Sequence, residues 1–138
     1  MIRLLVFALL LSASAASRAD GISRQDSAAI KAVISEQLDA FARDDGPRAF
    51  SLATSGIQAQ FRTPDIFMDM VRSQYAVVYR PKSVQFESPE LVEGEVVQPV
   101  RMTDAAGQVW LAIYPMQREA GAWRTNGCLL RRLKGVQA

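Results

Sequence analysis

Histidine is absent from all 138 residues, and cysteine occurs once, at Cys128. The first absence removes the side chain most easily tuned to exchange protons near neutral pH, and the commonest metal ligand with it. The second excludes an intramolecular disulfide, so the fold has to rest on its core. Flanked by Gly127 and Leu129-Leu130, the lone thiol reads as a small buried hydrophobe, since no histidine is present to draw off its proton. No stretch alternates oxygen ligands in the manner of a calcium loop. The sequence predicts no catalytic residue, no metal site and no cofactor.

Long apolar runs are scarce as well. Leu4 to Leu11 is eight residues, against the roughly 20 that carry a helix across a bilayer. Met1-Ile2-Arg3 precedes it, and small-residue cleavage sites follow at Ala13-Ser14-Ala15 or Ser17-Arg18-Ala19. This pattern predicts a secretory signal peptide over 1–19 and a periplasmic or secreted mature domain over 20–138. No cysteine stands at the leader boundary, so no lipid anchor is expected. The mature length suits one domain with one core.

An excess of either charge is missing too. The precursor has 16 basic and 14 acidic residues; loss of Arg3 and Arg18 with the leader brings the two counts level. A neutral chain lacks the clustered positive charge that holds nucleic acid or anionic lipid, so neither nucleic acid nor, after leader removal, membrane is an expected partner. Arg131, Arg132 and Lys134 form the one local basic cluster and read as a solvated tail.

What is present begins with a helical stripe from Ser23, where Ile30, Val33, Ile34, Leu38 and Phe41 recur at steps of three and four. Asp44-Asp45-Gly46-Pro47 ends this helix and starts a short second one carrying Ala49, Phe50, Leu52 and Ala53. Capping of that helix accounts for at least one of the two adjacent aspartates. A third helix starts at Thr63-Pro64-Asp65, buries Phe67, Met70, Val71 and Tyr75, and stops before Pro81.

Beyond Pro81 the period becomes two, predicting strands near Ser83 to Glu87, Glu93 to Thr103, Gln108 to Arg118 and Trp123 to Arg132. Short turns at Asp104-Ala105-Ala106-Gly107 and Glu119-Ala120-Gly121 make neighbours antiparallel. The expected fold is α+β: N-terminal helices packed in a curved antiparallel sheet of about four strands.

With the first turn centred on Ala105-Ala106 and the second on Ala120-Gly121, alternation puts Trp110, Ala112, Tyr114, Met116, Val97, Trp123 and Thr125 on one face. Val96, Val100, Met102, Val109, Leu111, Ile113, Cys128 and Leu130 fall on the other, and Arg101 stands beside Trp110. Both faces are apolar, whereas an antiparallel sheet normally keeps one face wet. The expectation is a homodimer through the sheet, with a C-terminal segment folding back as the plainer alternative.

Several of these residues carry a resemblance. Ile30, Gln37, Leu38 and Phe41 before Asp44-Asp45, the Phe67, Met70-Val71, Tyr75 and Tyr79-Arg80-Pro81 series, and Gly107, Trp110, Tyr114 and Trp123 to Gly127-Cys128 resemble the exported bacterial family known as domain of unknown function four-eight-six-four. The resemblance spans nearly the whole mature chain. It implies the cone-shaped fold of the nuclear-transport-factor-two-like (cystatin-like) superfamily, in which a curved sheet wraps a long helix and often leaves a pocket. It implies no activity. Enzymes of that superfamily use a carboxylate base with tyrosine or protonated-acid donors. Here the first helix offers no tyrosine, and the inferred inner face no carboxylate beyond Glu95 at its rim.

Candidate pocket residues are Tyr75, Tyr79, Arg80, Trp110, Tyr114 and Trp123, which join large contact area to one polar tip. Plain core packing is the competing reading for each. Three functions remain open: a non-catalytic domain that binds a small apolar or amphipathic ligand or a protein partner; a lyase or isomerase working through pocket tyrosines and an aspartate; and a structural interaction module with no open pocket.

Overall fold

The computed structural model describes residues 21–137; the leader expected over 1–19 lies outside them. Five helices come first: α1 (Arg24–Ala42), α2 (Gly46–Ser51), α3 (Ser55–Phe61), α4 (Pro64–Gln74) and α5 (Ala76–Tyr79). Six strands follow: β1 (Ser83–Phe86), β2 (Glu90–Val92), β3 (Glu95–Thr103), β4 (Gln108–Glu119), β5 (Ala122–Thr125) and β6 (Leu129–Gln137).

Helix starts are set by side-chain oxygens that accept from free backbone amides. Ser23 caps α1 through Asp26 N at 3.0 Å, Asp45 caps α2 through Arg48 N at 3.1 Å, and Thr63 caps α4 through Ile66 N at 3.2 Å. Each such cap stabilises its helix by about 1 kcal/mol. Pro47 and Pro64 sit in the first turns of α2 and α4, where no amide donor is missed. Helix α3, capped by Thr54 through Ile57 N at 3.3 Å, fills a stretch with no expected element. Its apolar face is only Ile57 and Phe61, one turn apart and half-buried, too short a run to read as a stripe.

The sheet is antiparallel throughout and curls strongly into a half-barrel around the helices, the expected α+β architecture. β1 and β2 share one edge of β3, and β5 and β6 share the far edge of β4, so six strands make four rows. A parallel bridge between Ala53 and Thr125 ties the α2–α3 link to β5: Thr54 N donates to Thr125 O at 2.9 Å and Thr125 N to Leu52 O at 3.0 Å. The tail beyond Leu133 does not fold back over the sheet. It bulges and rejoins β4, pairing Gln137 with Gln108, and exposed Arg131 and Arg132 belong to β6 instead of a solvated end.

The β3–β4 register differs by one residue from expectation. Thr103 pairs with Val109 and Met102 with Trp110, because the connection is a three-residue loop, Ala105 to Gly107, and not a two-residue turn. Gly107 takes φ +82, the left-handed conformation that closes such loops. One residue of slip exchanges the faces of β3. Val96, Gln98, Val100 and Met102 share the inner face with Trp110, Ala112, Tyr114 and Met116, while Val97 and Glu95 lie outside. Arg101 accordingly pairs with Leu111 on the outer face and reaches Glu87 at 3.5 Å, not Trp110.

The inner face closes on the helices around Phe67 of α4. Its ring centroid lies 6.0 Å from Phe41, 5.5 Å from Phe50 and 5.7 Å from Phe61, so one side chain joins α1, α2, α3 and α4. Offset and edge-on pairs at such separations add to the stabilisation from burial alone. Gln37, buried on α1, donates its amide to Ala49 O at 3.0 Å and so holds α1 to α2.

Candidate functional site

Between α1, α3, α4 and the sheet lies a cavity of about 610 Å³. Phe41 reaches it from α1, Ile57 and Phe61 from α3, Phe67, Met70 and Val71 from α4, Tyr114 and Pro115 from β4, and Asn126 to Leu129 from the loop leading into β6. The helical stripe and the sheet's alternation therefore deliver their apolar residues to one space. Gln60, Gln74 and Leu129, all exposed, stand at its mouth.

The polar groups on the wall are nearly all engaged. Tyr75 donates its hydroxyl to Cys128 O at 2.8 Å, Thr125 to Leu52 O at 3.4 Å, and Thr54 to Asn126 Oδ1 at 2.8 Å. Tyr114 differs: it is 2 % exposed, and its hydroxyl has no hydrogen-bond partner among the described residues. Its polar neighbours are the Cys128 thiol and the Tyr75 hydroxyl.

Among the described residues, no aspartate, glutamate, lysine or arginine lines this cavity. Its ionisable groups are two tyrosines and the thiol, and burial raises all three. Desolvation pushes Cys128 up to about 12, lifts Tyr114 well above its ordinary value, and lifts Tyr75, with the nearby thiol adding to the effect on both tyrosines. All three are neutral at pH 7, which suits hydrogen bonding and leaves no group poised for proton transfer there.

Two of the six residues singled out from the sequence, Tyr75 and Tyr114, stand on the cavity wall. The other four meet carboxylates elsewhere. Trp110 donates its indole N–H to Asp104 Oδ2 at 3.0 Å beside the β3–β4 loop, and Trp123 donates to Asp26 Oδ1 at 3.1 Å across to α1. Tyr79 and Arg80 join Arg72 around Asp44. Arg72 Nη2 reaches Asp44 Oδ1 at 3.1 Å, Arg80 Nη2 reaches Oδ2 at 3.1 Å, and the Tyr79 hydroxyl donates to Oδ1. Both guanidiniums also lie over the Tyr79 ring, at 5.6 and 4.9 Å. Asp44 takes φ +55 to meet them, and the Tyr79 hydroxyl, followed by Arg72, holds its carboxyl below the ordinary value. The aspartate pair thus divides its work: Asp45 caps α2, and Asp44 binds α4 and α5 to the end of α1.

Among the cavity residues not anticipated from the sequence are Ile57, Asn126 and Leu129. Ile57 belongs to a seven-residue helix with only two apolar positions on its inner side, Asn126 lies between β5 and β6, and Leu129 opens β6, where the sequence reads as one continuous strand from Trp123 to Arg132. Among the described residues, no three histidine, cysteine, aspartate or glutamate side chains gather as a metal site, and no helix is long and apolar enough to cross a membrane.

No curated protein and no solved structure matches the chain. Residues 23–138 match the family described as Domain of unknown function (DUF4864). The match runs from the cap of α1 through the whole sheet, and the chain belongs to that family.

Proposed function

We propose that this is a non-catalytic binding domain that holds a small apolar or amphipathic molecule in the space between α1, α3, α4 and β4. The observation that carries the reading is the cavity itself: about 610 Å³, walled by Phe41, Phe61, Phe67 and Met70, with no charged side chain on its lining among the described residues. Ligand sites of 300 to 1,000 Å³ with apolar walls and few polar groups are the rule for small molecules. The lyase or isomerase reading is weaker, because Asp26, Asp44 and Asp104 are engaged outside the cavity and its own titratable groups stay neutral. A sheet curled about a long helix also supports placing the family in the nuclear-transport-factor-two-like superfamily, and the Met1 to Ala19 pattern supports export.

Native mass spectrometry of the protein purified from its own cell envelope tests this directly. The expected spectrum shows a small molecule retained at one per chain and released on denaturation, with a mature mass beginning near residue 20. Ile57→Trp, which fills the cavity from α3, should abolish retention while leaving the fold cooperative. A ligand-free spectrum, with no thermal shift from a panel of neutral apolar compounds, would remove the binding reading.

A second reading concerns the outer face of the sheet, where Val97, Leu111, Ile113 and Pro115 are half-buried and Leu129 is 65 % exposed. We propose that a second copy of the chain covers it, since the row Leu111, Ile113 and Pro115 along β4, flanked at Leu111 by Arg101 and Arg131, is more apolar than the free face of an antiparallel sheet usually is.

A further inference from the structure

We infer that the cavity takes an uncharged ligand with a single acceptor oxygen on an apolar body, a ketone, ester or ether, and that the Tyr114 hydroxyl donates to that oxygen. This rests on the binding reading above and specifies the chemistry of the same site.

Buried polar groups in folded proteins find partners almost without exception, and those without one call for a reason. On this wall Gln37, Tyr75, Thr125 and Asn126 are each paired within the protein. Gln60 and Gln74 are exposed at the mouth, where water serves them. Among the described side chains on this wall, Tyr114 alone is buried without a hydrogen bond of good geometry; its one candidate partner is the adjacent Cys128 thiol, a weak acceptor. A phenol donates more strongly than it accepts, so the missing partner is an acceptor.

Charge narrows the class further. Bringing a carboxylate or ammonium into an apolar space without a counter-ion is strongly unfavourable, and no such counter-ion lines this one. The hydroxyl has no solvent contact, so an arriving oxygen can reach it only where the neighbouring Cys128 side chain gives way. Phe41, Phe61 and Phe67, clustered with centroids about 6 Å apart, supply the surface against which a flat apolar body would lie.

Three probes of one shape separate these terms: benzophenone, diphenylmethane and 4-benzoylbenzoate, titrated by calorimetry into the wild-type chain and into Tyr114→Phe. Benzophenone is expected to bind the wild type roughly five- to tenfold more tightly than diphenylmethane, the measure of one neutral hydrogen bond. The charged analogue should bind more weakly than the ketone. In Tyr114→Phe the preference for the ketone over the hydrocarbon should fall to near one, and the lowered carbonyl stretch of bound benzophenone should return to its value in hydrocarbon solvent. The variant keeps the ring and loses an unpaired buried hydroxyl, so it should melt no lower than the wild type. Equal affinity of ketone and hydrocarbon for the wild type, or a preference that survives in Tyr114→Phe, would overturn the seat while leaving the cavity a binding site. Binding of none of the three would overturn both.

Discussion

The indole N–H of Trp123 donates to Asp26 Oδ1 at 3.1 Å, fastening the β4–β5 hairpin to the first turn of α1. Arg118 completes the contact, its guanidinium 5.6 Å from the Trp123 ring and 3.9 Å from Asp26. Asp26→Ala would leave a part-buried indole donor without its acceptor and take a carboxylate from the start of a helix. The expected loss is about 1–2 kcal/mol in urea unfolding followed by tryptophan fluorescence. Asp26→Asn, which keeps an acceptor oxygen, should lose less; equal stability of all three proteins would show the contact to be idle.

Asp44 gives the chain an acid-sensitive joint. Its carboxyl titrates below 3.8 in the folded state and near 3.8 in the unfolded chain. The unfolded chain therefore takes up this proton first as the pH falls. The stabilisation is fully present above 3.8 and is lost as the pH falls through the lower, folded value. Thermal melts of the wild type should decline more steeply below pH 3.8 than those of Asp44→Asn, the two curves converging at the acid end. Added salt should narrow the gap at neutral pH, because Arg72, Arg80 and Asp44 are all solvent-exposed. Parallel pH profiles would show that the joint contributes nothing.

Cys128, pushed up to about 12, should be a poor nucleophile in the folded protein. Its reaction with a chromogenic disulfide at pH 8 is expected to run roughly a thousandfold slower than that of a free thiol, rising about tenfold per pH unit up to pH 11. Full reactivity should return in denaturant. Rapid labelling of the folded chain at pH 8 would mean that the thiol is far less desolvated than its position implies.

The outer sheet face predicts a dimer that a single charge disrupts. Light scattering coupled to size exclusion should give twice the chain mass for the wild type at micromolar concentration and the monomer mass for Ile113→Arg. Ile113 is only half-buried and faces away from the helices, so the variant should retain the wild-type circular dichroism. A monomeric wild type would end the proposal.

Elements with a rhythm were legible from the residues alone. The stripe from Ile30 to Phe41, the helical pattern starting at Ser23, the cap at Thr63 and the change of period after Pro81 place α1, α4 and the sheet close to where they lie. Two kinds of information were not there to be read. Whether Asp104 to Gln108 closes a two- or a three-residue loop depends on which residue takes positive φ, and that one residue exchanges the faces of β3. The partner of a polar-tipped aromatic is equally hidden. Trp110, Trp123 and Tyr79 have the composition of pocket residues, yet each meets an aspartate, and in Trp123–Asp26 the two lie at opposite ends of the described chain. Tyr75 and Tyr114 share that composition, and only the curl of the sheet directs them to the cavity.

The short parallel bridge between Ala53 and Thr125 bears on how anything could enter. By joining the approach to α3 with the end of β5 through two backbone hydrogen bonds, it ties that side of the cavity to the sheet, while Gln60, Gln74 and Leu129 stand exposed at the mouth. On the binding reading proposed above, the C-terminal turn of α3 against α4 is where opening is expected. Amide exchange should register that as fast opening at Gln60 and Phe61 beside slow exchange at Thr54 and Thr125.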